Sequence, residues 1–217
     1  MTGELLVEQA ILDPLATRED IQRFCDEAIR RGYHAISVPS SRVAETYEFL
    51  QDSDLNVSCL VGFPYGNADA DVKRFETEVA VDNGAHEINL MISLGYIKER
   101  AFQRVLRELR DVVEAADERI IKVFIEPRFL TPPELEDTVN LVLDSGAQFI
   151  ATTVWSSGSV LDEVRRLREL VGDKFGVLAA TAQDNLDPKE LLSLGATRLL
   201  IAKIGQTIRS SEQAFGI

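Results

Sequence analysis

The sequence predicts an α/β protein that forms one eight-stranded (β/α)8 barrel, the TIM-barrel architecture. Short apolar runs rich in β-branched residues alternate with amphipathic stretches along the whole chain, which is typical of repeated βα units around a parallel sheet. The 217 residues, 45% of them hydrophobic, suit a single domain over 1–217 with one large core. An open, doubly wound sheet is the alternative, but no glycine-rich dinucleotide loop follows the first strand.

The strands are predicted from runs enriched in Val, Ile, Leu and Phe, as expected where both faces of a parallel sheet are covered. In chain order they are Leu5–Ile11, His34–Val38, Asn56–Phe63, His86–Ser93, Ile120–Glu126, Gln148–Val154, Phe175–Thr181 and Thr197–Ile204. If these strands close into a barrel, its functional site lies at their C-terminal ends.

Capping signals mark the helices between the strands. Thr17 with Asp20, and Thr131 with Glu134, have the spacing of capping boxes. The helices that they begin are predicted over Ile21–Arg31 and Leu135–Ser145. Further helices with many arginines and glutamates, over 104–114 and 162–169, are expected to present solvated charged faces.

Three glycines predict how helices give way to strands. Gly84, Gly146 and Gly195 each follow a helical stretch and precede an alanine, as expected for a left-handed residue that ends a helix. The repeated Gly-Ala joint indicates one recurring arrangement of helix, glycine and strand.

Charge and hydropathy exclude several classes of function. The formal net charge of −13 opposes binding to nucleic-acid phosphates or to anionic membranes. No apolar run approaches the ~20 residues that span a bilayer, and the N-terminus lacks the features of a signal peptide. The sequence therefore predicts a soluble, cytoplasmic protein with no nucleic-acid or membrane partner.

Cysteine and histidine patterns do not indicate a metal or a cofactor. Cys25 and Cys59 lack the spacing of metal ligands and are expected to be buried thiols. His34 and His86 stand at the starts of two strands, which is the stability side of a barrel. No metal site and no cofactor are predicted.

From Glu8 to about Gly205 the chain resembles the deoxyribose-phosphate aldolase family. The matching motifs are Val61-Gly-Phe-Pro-Tyr-Gly66, Gly84-Ala-His-Glu-Ile-Asn89, Ile121-Lys-Val-Phe-Ile-Glu126 with Leu130-Thr131, Gly146-Ala-Gln-Phe-Ile150 and Gly195-Ala-Thr-Arg198. The resemblance implies a barrel scaffold and Schiff-base cleavage of a carbon–carbon bond.

The residues that would perform that chemistry are replaced. It needs an amine nucleophile, a neighbouring cation and a carboxylate that moves protons. Where the family has its Schiff-base lysine this chain has Ala151, and where the family has its second lysine it has Leu178. Asn89 replaces the aspartate of strand four and cannot act as a base at neutral pH.

Other functional strand ends differ as well. The Asp-His-Thr pattern of strand one becomes Glu8-Gln9-Ala10, and the Asn-Pro pair of strand two becomes Pro39-Ser40. The phosphate segment of strand eight becomes Leu200-Ile201-Ala202. The substitutions coincide with the family's functional positions, while the scaffold motifs are kept.

Some polar side chains nevertheless remain as candidates for chemistry inside the barrel. Because side chains alternate along a strand, Lys122 and Glu126 share one face of their strand, and Glu87 and Asn89 share one face of the preceding strand. Glu8 is a further candidate. Lys122 has two interpretations, a buried ion pair with Glu87 or a reactive, ligand-binding amine.

A second group is predicted to bind a ligand at the barrel mouth. Thr152, Thr153 and Trp155 follow strand six and offer two hydroxyls and an aromatic ring, although ordinary loop capping also explains these residues and is the preferred interpretation. Lys203 lies near the end of strand eight, where an ammonium would suit a phosphate. The register leaves open whether Lys203 faces the mouth or the helices.

Two functional hypotheses follow. In the first, the chain is a catalytically silent relative of the aldolases, a pseudoenzyme that binds a protein partner or forms a homo-oligomer in a regulatory assembly. In the second, it is a lyase-like enzyme of altered specificity that acts on a small carbonyl compound or a sugar phosphate through Lys122, Glu87, Glu126 or Glu8.

Overall fold

A computed structural model describes residues 5–152, 159–182 and 186–203 of the chain. Eight parallel strands pair in chain order, and the last pairs with the first, so the sheet closes into a barrel. The strands are β1 (Leu6–Ile11), β2 (Ala35–Pro39), β3 (Asn56–Val61), β4 (Glu87–Met91), β5 (Ile120–Phe124), β6 (Phe149–Ala151), β7 (Gly176–Thr181) and β8 (Arg198–Lys203). The predicted closed barrel is confirmed.

Helices alternate with the strands and cover the outside of the barrel. They are α1 (Arg18–Arg31), α2 (Val43–Leu50), α3 (Ala70–Asp82), α4 (Leu94–Lys98), α5 (Phe102–Ala115), α6 (Pro132–Leu143), α7 (Val160–Val171) and α8 (Pro188–Ser193), with 3-10 turns at Ser40–Arg42 and Pro127–Phe129. In the described ranges no helix is both long and apolar enough to cross a bilayer.

The predicted capping boxes are present, although α1 and α6 each begin three residues before the predicted range. Thr17 caps α1 and Thr131 caps α6, and each forms the full capping box with the acidic residue three positions later. At the joints before β4, β6 and β8, Gly84, Gly146 and Gly195 have φ of 98°, 95° and 95°. Residues other than glycine rarely adopt this backbone conformation, which explains why glycine recurs at these joints.

Three strands end two residues earlier than predicted. The backbone leaves the sheet after Val61, where Gly62 has a φ of 68°, and after Phe124, where Glu126 has a φ of 46°. The third strand is β4, which ends before Ser93 because Ser93 is the N-cap residue of α4. In each case the apolar pattern continues past the strand, because the following residues also pack into the core.

Side chains alternate between two cores on either side of the sheet. Ile88, Ile121, Ile150, Val177 and Leu199 point outward and pack against the helices. A separate inner cluster, here called the apolar plug, fills the barrel and consists of Ala10, Met91, Phe124, Ala151, Leu178, Ala180, Leu200 and Ala202. Ala151 and Leu178 therefore face the barrel interior, as the family resemblance implies for these two positions.

The expectation of a fully solvated face is wrong for two helices. Glu108 of α5 is completely buried and pairs with Lys73 of α3. Arg168 of α7 is part-buried, and its guanidinium donates to the carbonyls of Phe175 and Gly195. The physical reason is that both side chains lie on the helix face that packs against neighbouring elements, which supply an opposite charge for Glu108 and backbone carbonyls for Arg168.

We predict that Gly84→Ala lowers the free energy of unfolding by about 1–2 kcal/mol or more, because a side chain is strained at positive φ. A Cβ there would also lie 2.6 Å from the ring of Tyr47. Gly95→Ala in α4 is the matched control, since nothing lies within 4 Å of its Cβ. Urea denaturation of both variants measures the effect, and equal stability of the two would contradict the prediction.

Candidate functional site

Four fully or nearly buried charges form an ion network inside the barrel. Lys122 Nζ lies 2.6 Å from Glu8 Oε2 and 2.7 Å from Glu87 Oε2. Arg198 Nη1 lies 2.7 Å from Glu8 Oε1 and 2.7 Å from Glu87 Oε2. The network therefore joins β1, β4, β5 and β8. The predicted pairing of Lys122 with Glu87 is present in this geometry, with two partners that the sequence did not indicate.

The strand register places the ion network toward the N-terminal end of the barrel. Glu87 and Arg198 are the first residues of their strands, and Lys122 and Glu8 point inward from the middle of theirs. Arg198 also stacks its guanidinium 4.7 Å from the centre of the Phe149 ring. The N-terminal end of such a barrel is the side where polar residues usually serve stability.

Electrostatic interactions favour the charged forms of Glu87 and Arg198 in this network. Burial by itself would raise the pKa of Glu87, but the nearby Lys122 and Arg198 cations and a hydrogen bond from His34 hold it well below its usual range. The pKa of Arg198 is raised because its two carboxylate partners outweigh burial. Two anions and two cations thus balance within one buried cluster.

The apolar plug separates the ion network from the C-terminal ends of the strands. Met91, Phe124 and Ala151 are the last residues of β4, β5 and β6, and all are at most 1% exposed. The ring of Phe63, in the loop after β3, packs edge-on against Phe124 with 5.2 Å between centroids. No side chain of the plug can form an imine or transfer a proton.

A polar strip lines the opposite part of the interior, on β2, β3 and β4. Asn89 donates from Nδ2 to Ser37 Oγ at 2.9 Å. Within the described residues, Asn89 Oδ1 and the hydroxyl of Ser58 find no hydrogen-bond partner, although both are buried. The amide of Asn89 can orient a neighbour by hydrogen bonding but cannot act as a base.

Every lysine of the sequence lies within the described ranges, so the side-chain amines can all be located. Lys73 and Lys122 are buried in ion pairs. Lys98 on α4 pairs with Glu134, and Lys174 and Lys189 are exposed outside the barrel. Lys203 lies in register with Ile11, whose side chain belongs to the outer core, so its strand position faces the helices.

The predicted ligand-binding hydroxyls are only partly described. Thr152 Oγ1 accepts from the amide of Ala180 at 2.8 Å and donates to the carbonyl of the same residue at 3.2 Å. Its hydroxyl thus continues the pairing of β6 with β7 beyond the end of the strand. Thr153 and Trp155 lie outside the described residues, and their predicted role stays a prediction.

Glu126 is the candidate carboxylate nearest the mouth, two residues beyond the end of β5. It is only 4% exposed, its backbone has a φ of 46°, and its Oε2 lies 3.5 Å from Arg128 Nε. A non-glycine residue in this left-handed region costs on the order of 1 kcal/mol or more and is often kept at functional sites. Glu126 contacts Arg128 and none of the four charges of the ion network, so it is a separate candidate among the predicted site residues.

Sequence reasoning missed a second buried ion pair that supports the loops at the mouth. Lys73 Nζ contacts Glu108 Oε1 at 2.8 Å and donates to the carbonyls of Gly66 and Met91, while Glu108 accepts from the amide of Ser93. Burial lowers the pKa of Lys73 and raises that of Glu108.

A signal for this second pair was present in the sequence. Glu108 falls in the i, i+3, i+4, i+7 stripe with Val105, Leu109 and Val112, which are all buried. Lys73 likewise shares its helix face with Thr77 and Ala80. A charge in the middle of an apolar stripe indicates a buried partner on the neighbouring helix. In the described ranges no three potential metal-ligating side chains lie together.

We predict that Glu87→Gln destabilises the fold by about 3–5 kcal/mol, because it leaves two buried cations with a single carboxylate. Glu48→Gln is the matched control, since Glu48 also bonds an arginine but its side chain is 61% exposed. The control is expected to change stability by less than about 1 kcal/mol. Urea denaturation at neutral pH measures both, and equally small effects would show that the network carries little stability.

We also predict a pH dependence from Glu87. Because its pKa is depressed in the folded protein, its stabilising contribution is complete above the ordinary value of 4.5 and is lost as the pH falls below it. The stability difference between the natural chain and Glu87→Gln should therefore shrink on acidification. Denaturation at a series of pH values tests this, and a difference that grows toward low pH would contradict it.

Comparison with known proteins identifies the family. The model of the DeoC/LacD family aldolases matches residues 6–158. The deoxyribose-phosphate aldolase of Thermococcus kodakarensis is 34% identical over 200 residues, covering 89% of each chain. That of Halalkalibacterium halodurans is 32% identical over 216 residues, covering 97% of this chain and 96% of the relative.

Solved structures share the fold at lower identity. A putative deoxyribose-phosphate aldolase from Coccidioides immitis is 23% identical with a TM-score of 0.84, covering 97% of this chain and 85% of that one. The Aeropyrum pernix enzyme, described as a unique tetrameric structure, is 23% identical with a TM-score of 0.80, covering 89% and 84%. From the family model and the relatives above 30% identity, the chain belongs to the DeoC/LacD family of aldolases, among the deoxyribose-phosphate aldolases.

Proposed function

We propose that this chain is a catalytically silent member of the deoxyribose-phosphate aldolase family, a pseudoenzyme that has a binding or regulatory role within an assembly. The observation that carries the proposal is the placement of its lysines. A Schiff-base aldolase needs an amine at the barrel mouth, and here the two family lysine positions, Ala151 and Leu178, lie in the apolar plug.

The remaining lysines do not offer a substitute. Lys122 is inside the barrel, but both of its carboxylate partners are within 2.7 Å, and it lies beneath the plug rather than at the mouth. Lys203 is near the end of β8, on the strand face turned toward the helices. A substrate carbonyl would have to displace packed side chains to reach Lys122, which supports a role without imine chemistry.

The surroundings of the lost lysines support the same proposal. Proton transfer in the family would pass through the position of Asn89, where an amide replaces a carboxylate. The segment of β8 that would hold the substrate phosphate contains Leu200 and Ala202, which are buried in the plug. Without these donors a phosphate would not be fixed in a reactive position.

Assembly is the second part of the proposal. The Aeropyrum pernix structure is described as a tetramer, so this scaffold forms homo-oligomers in at least one protein. A rigid barrel offers its outer helices as a binding surface without needing an active mouth. We expect the same of this chain, as a homo-oligomer or with a protein partner.

We predict no cleavage of deoxyribose 5-phosphate above background. The assay is retro-aldol turnover, with the Thermococcus kodakarensis aldolase as positive control. Borohydride reduction in the presence of substrate, followed by peptide mapping, identifies any trapped amine. Adducts on the exposed Lys98, Lys174 and Lys189 are background, because any exposed amine reacts. Turnover that disappears in Lys122→Ala, or an adduct on Lys122 or Lys203, would overturn the proposal.

A second candidate function rests on Glu126. Its left-handed backbone and its nearly buried carboxylate at the mouth suit a lyase-like enzyme that acts on a small carbonyl compound or a sugar phosphate by proton transfer. Glu8, Glu87 and Lys122 support this candidate less, because they neutralise one another inside the ion network. A ligand whose binding or turnover is lost in Glu126→Gln would favour this function.

We predict that restoring the family residues does not restore aldolase activity. Ala151→Lys, Leu178→Lys and Asn89→Asp would together supply a nucleophile, a cation and a carboxylate, but the phosphate site would remain apolar. Two lysines within the plug should also destabilise the barrel by several kcal/mol. The test is retro-aldol turnover together with a melting curve of the triple variant. Robust turnover at an unchanged melting temperature would show that the pocket is intact.

A further inference from the structure

The segment Gly62–Gly66, here called the strap, follows β3 and lies against the apolar plug at the barrel mouth. The ring of Phe63 packs edge-on against Phe124, with 5.2 Å between the ring centroids. At the other end of the strap, Gly66 adjoins Met91, because a Cβ on Gly66 would lie 2.9 Å from Met91 Cγ. Met91 and Phe124 are 1% and 0% exposed. The strap therefore covers part of the plug on its mouth side.

Two glycines let the strap approach the barrel this closely. Gly62 and Gly66 have φ of 68° and 67°, a backbone conformation that favours glycine. The amide of Gly66 donates to the carbonyl of Gly62 at 2.8 Å, which closes the strap into a tight turn. A Cβ on Gly66 would also lie 1.9 Å from the carbonyl oxygen of Ile92, so a larger residue is excluded there. The position of the strap is therefore narrowly defined.

Helix α3 holds the strap through two side chains. Lys73 Nζ donates to the carbonyl of Gly66 at 2.6 Å and to that of Met91 at 2.9 Å, so it joins one end of the strap to the end of β4. Glu76 Oε2 accepts from the amide of Gly62 at 2.9 Å, at the other end of the strap. Lys73 and Glu76 are three residues apart and thus lie on one side of α3. Both ends of the strap are therefore fixed to the same helix.

Helix α5 supplies the charge that lets Lys73 remain buried. Glu108 Oε1 lies 2.8 Å from Lys73 Nζ and accepts from the amide of Ser93 at 3.2 Å. The three protons of the ammonium thus have three acceptors, which are Glu108 and the carbonyls of Gly66 and Met91. A buried ion pair contributes little net stability compared with apolar side chains of similar size. What it provides here is a set of directed bonds to the strap and to the loop after β4.

We propose that the strap is a lid that closes the apolar plug, that Lys73 and Glu76 are the positioning residues that hold it shut, and that its release opens the plug to the mouth. Release exposes the apolar side chains of Met91 and Phe124, so the state of the strap decides whether the mouth offers an apolar surface to a ligand or partner. This goes beyond the proposed function and holds whether or not the mouth has any activity.

The test uses Met91 as a reporter of strap opening. Met1 is the only other methionine of the sequence, so peptide mapping by mass spectrometry assigns the oxidised sulfur without ambiguity. The full chain is treated with hydrogen peroxide at several low urea concentrations. In the natural chain we expect Met91 to oxidise only when the whole barrel unfolds, so its oxidation rate should rise with urea as the unfolded fraction does.

Two variants release the strap from α3. Lys73→Leu combined with Glu108→Leu removes the amine together with its buried counter-charge and leaves neither ion unpaired. We expect Met91 to oxidise at least about 10-fold faster in this double variant, at a rate that low urea leaves unchanged, because losing two charge-assisted bonds permits local opening. Glu76→Ala should accelerate the oxidation by a smaller factor, since it frees only the Gly62 end of the strap.

The matched control is Arg107→Gln combined with Asp111→Asn, which removes an ion pair at the surface of α5 and should leave the oxidation rate of Met91 unaltered. Urea denaturation establishes whether each variant is folded and how stable it is, so that faster oxidation through local opening is separated from a general loss of stability.

Two results would overturn the proposal: rapid oxidation of Met91 in the natural chain that does not depend on urea, or oxidation in both release variants that is no faster than in the control. If the double variant does not fold, Glu76→Ala decides the question by itself, because it leaves the pair of Lys73 and Glu108 in place. These measurements involve no substrate, so a failed strap and a failed proposed function are distinguishable.

Discussion

The buried network of Glu8, Glu87, Lys122 and Arg198 is the constraint on which the interior of this barrel depends. Four strands from opposite parts of the sheet each contribute one charge, so the network crosses the interior and not merely a single strand pair. Each ion tolerates burial only because its partners are in place, and removing one leaves an uncompensated charge. The network therefore requires the register of β1, β4, β5 and β8 and occupies the N-terminal half of the interior.

Above the network, the apolar plug decides what chemistry the mouth can support. Ala151 and Leu178 pack with Met91, Phe124 and the small side chains of Ala180 and Ala202 in one buried core. Charge is thus separated from apolar packing along the barrel, and Lys122 contacts two carboxylates on the charged side. Polar groups are present nearer the barrel mouth. They are the carboxylate of Glu126 and the ion pair of Lys73 with Glu108, which contacts the loops there.

Much of this arrangement was predictable from local patterns. The family motifs indicated that Glu87 and Lys122 face inward. The capping boxes at Thr17 and Thr131 are present, although α1 and α6 begin three residues before the predicted ranges. Arg198 was not predicted as a partner, because it is 111 residues from Glu87 in sequence and meets it only when the barrel closes. The pair of Lys73 and Glu108 had a helical signal, yet a single helix does not reveal which neighbour supplies the opposite charge.

The sequence by itself determined the order of the elements and the closed barrel, because both follow from the periodicity of the repeated βα units. Only the tertiary structure decided how the interior divides into an ion network and an apolar plug, and that Lys203 lies on the outer face of β8. The physical reason is that burial and charge pairing depend on contacts between distant strands and helices, which no local pattern encodes.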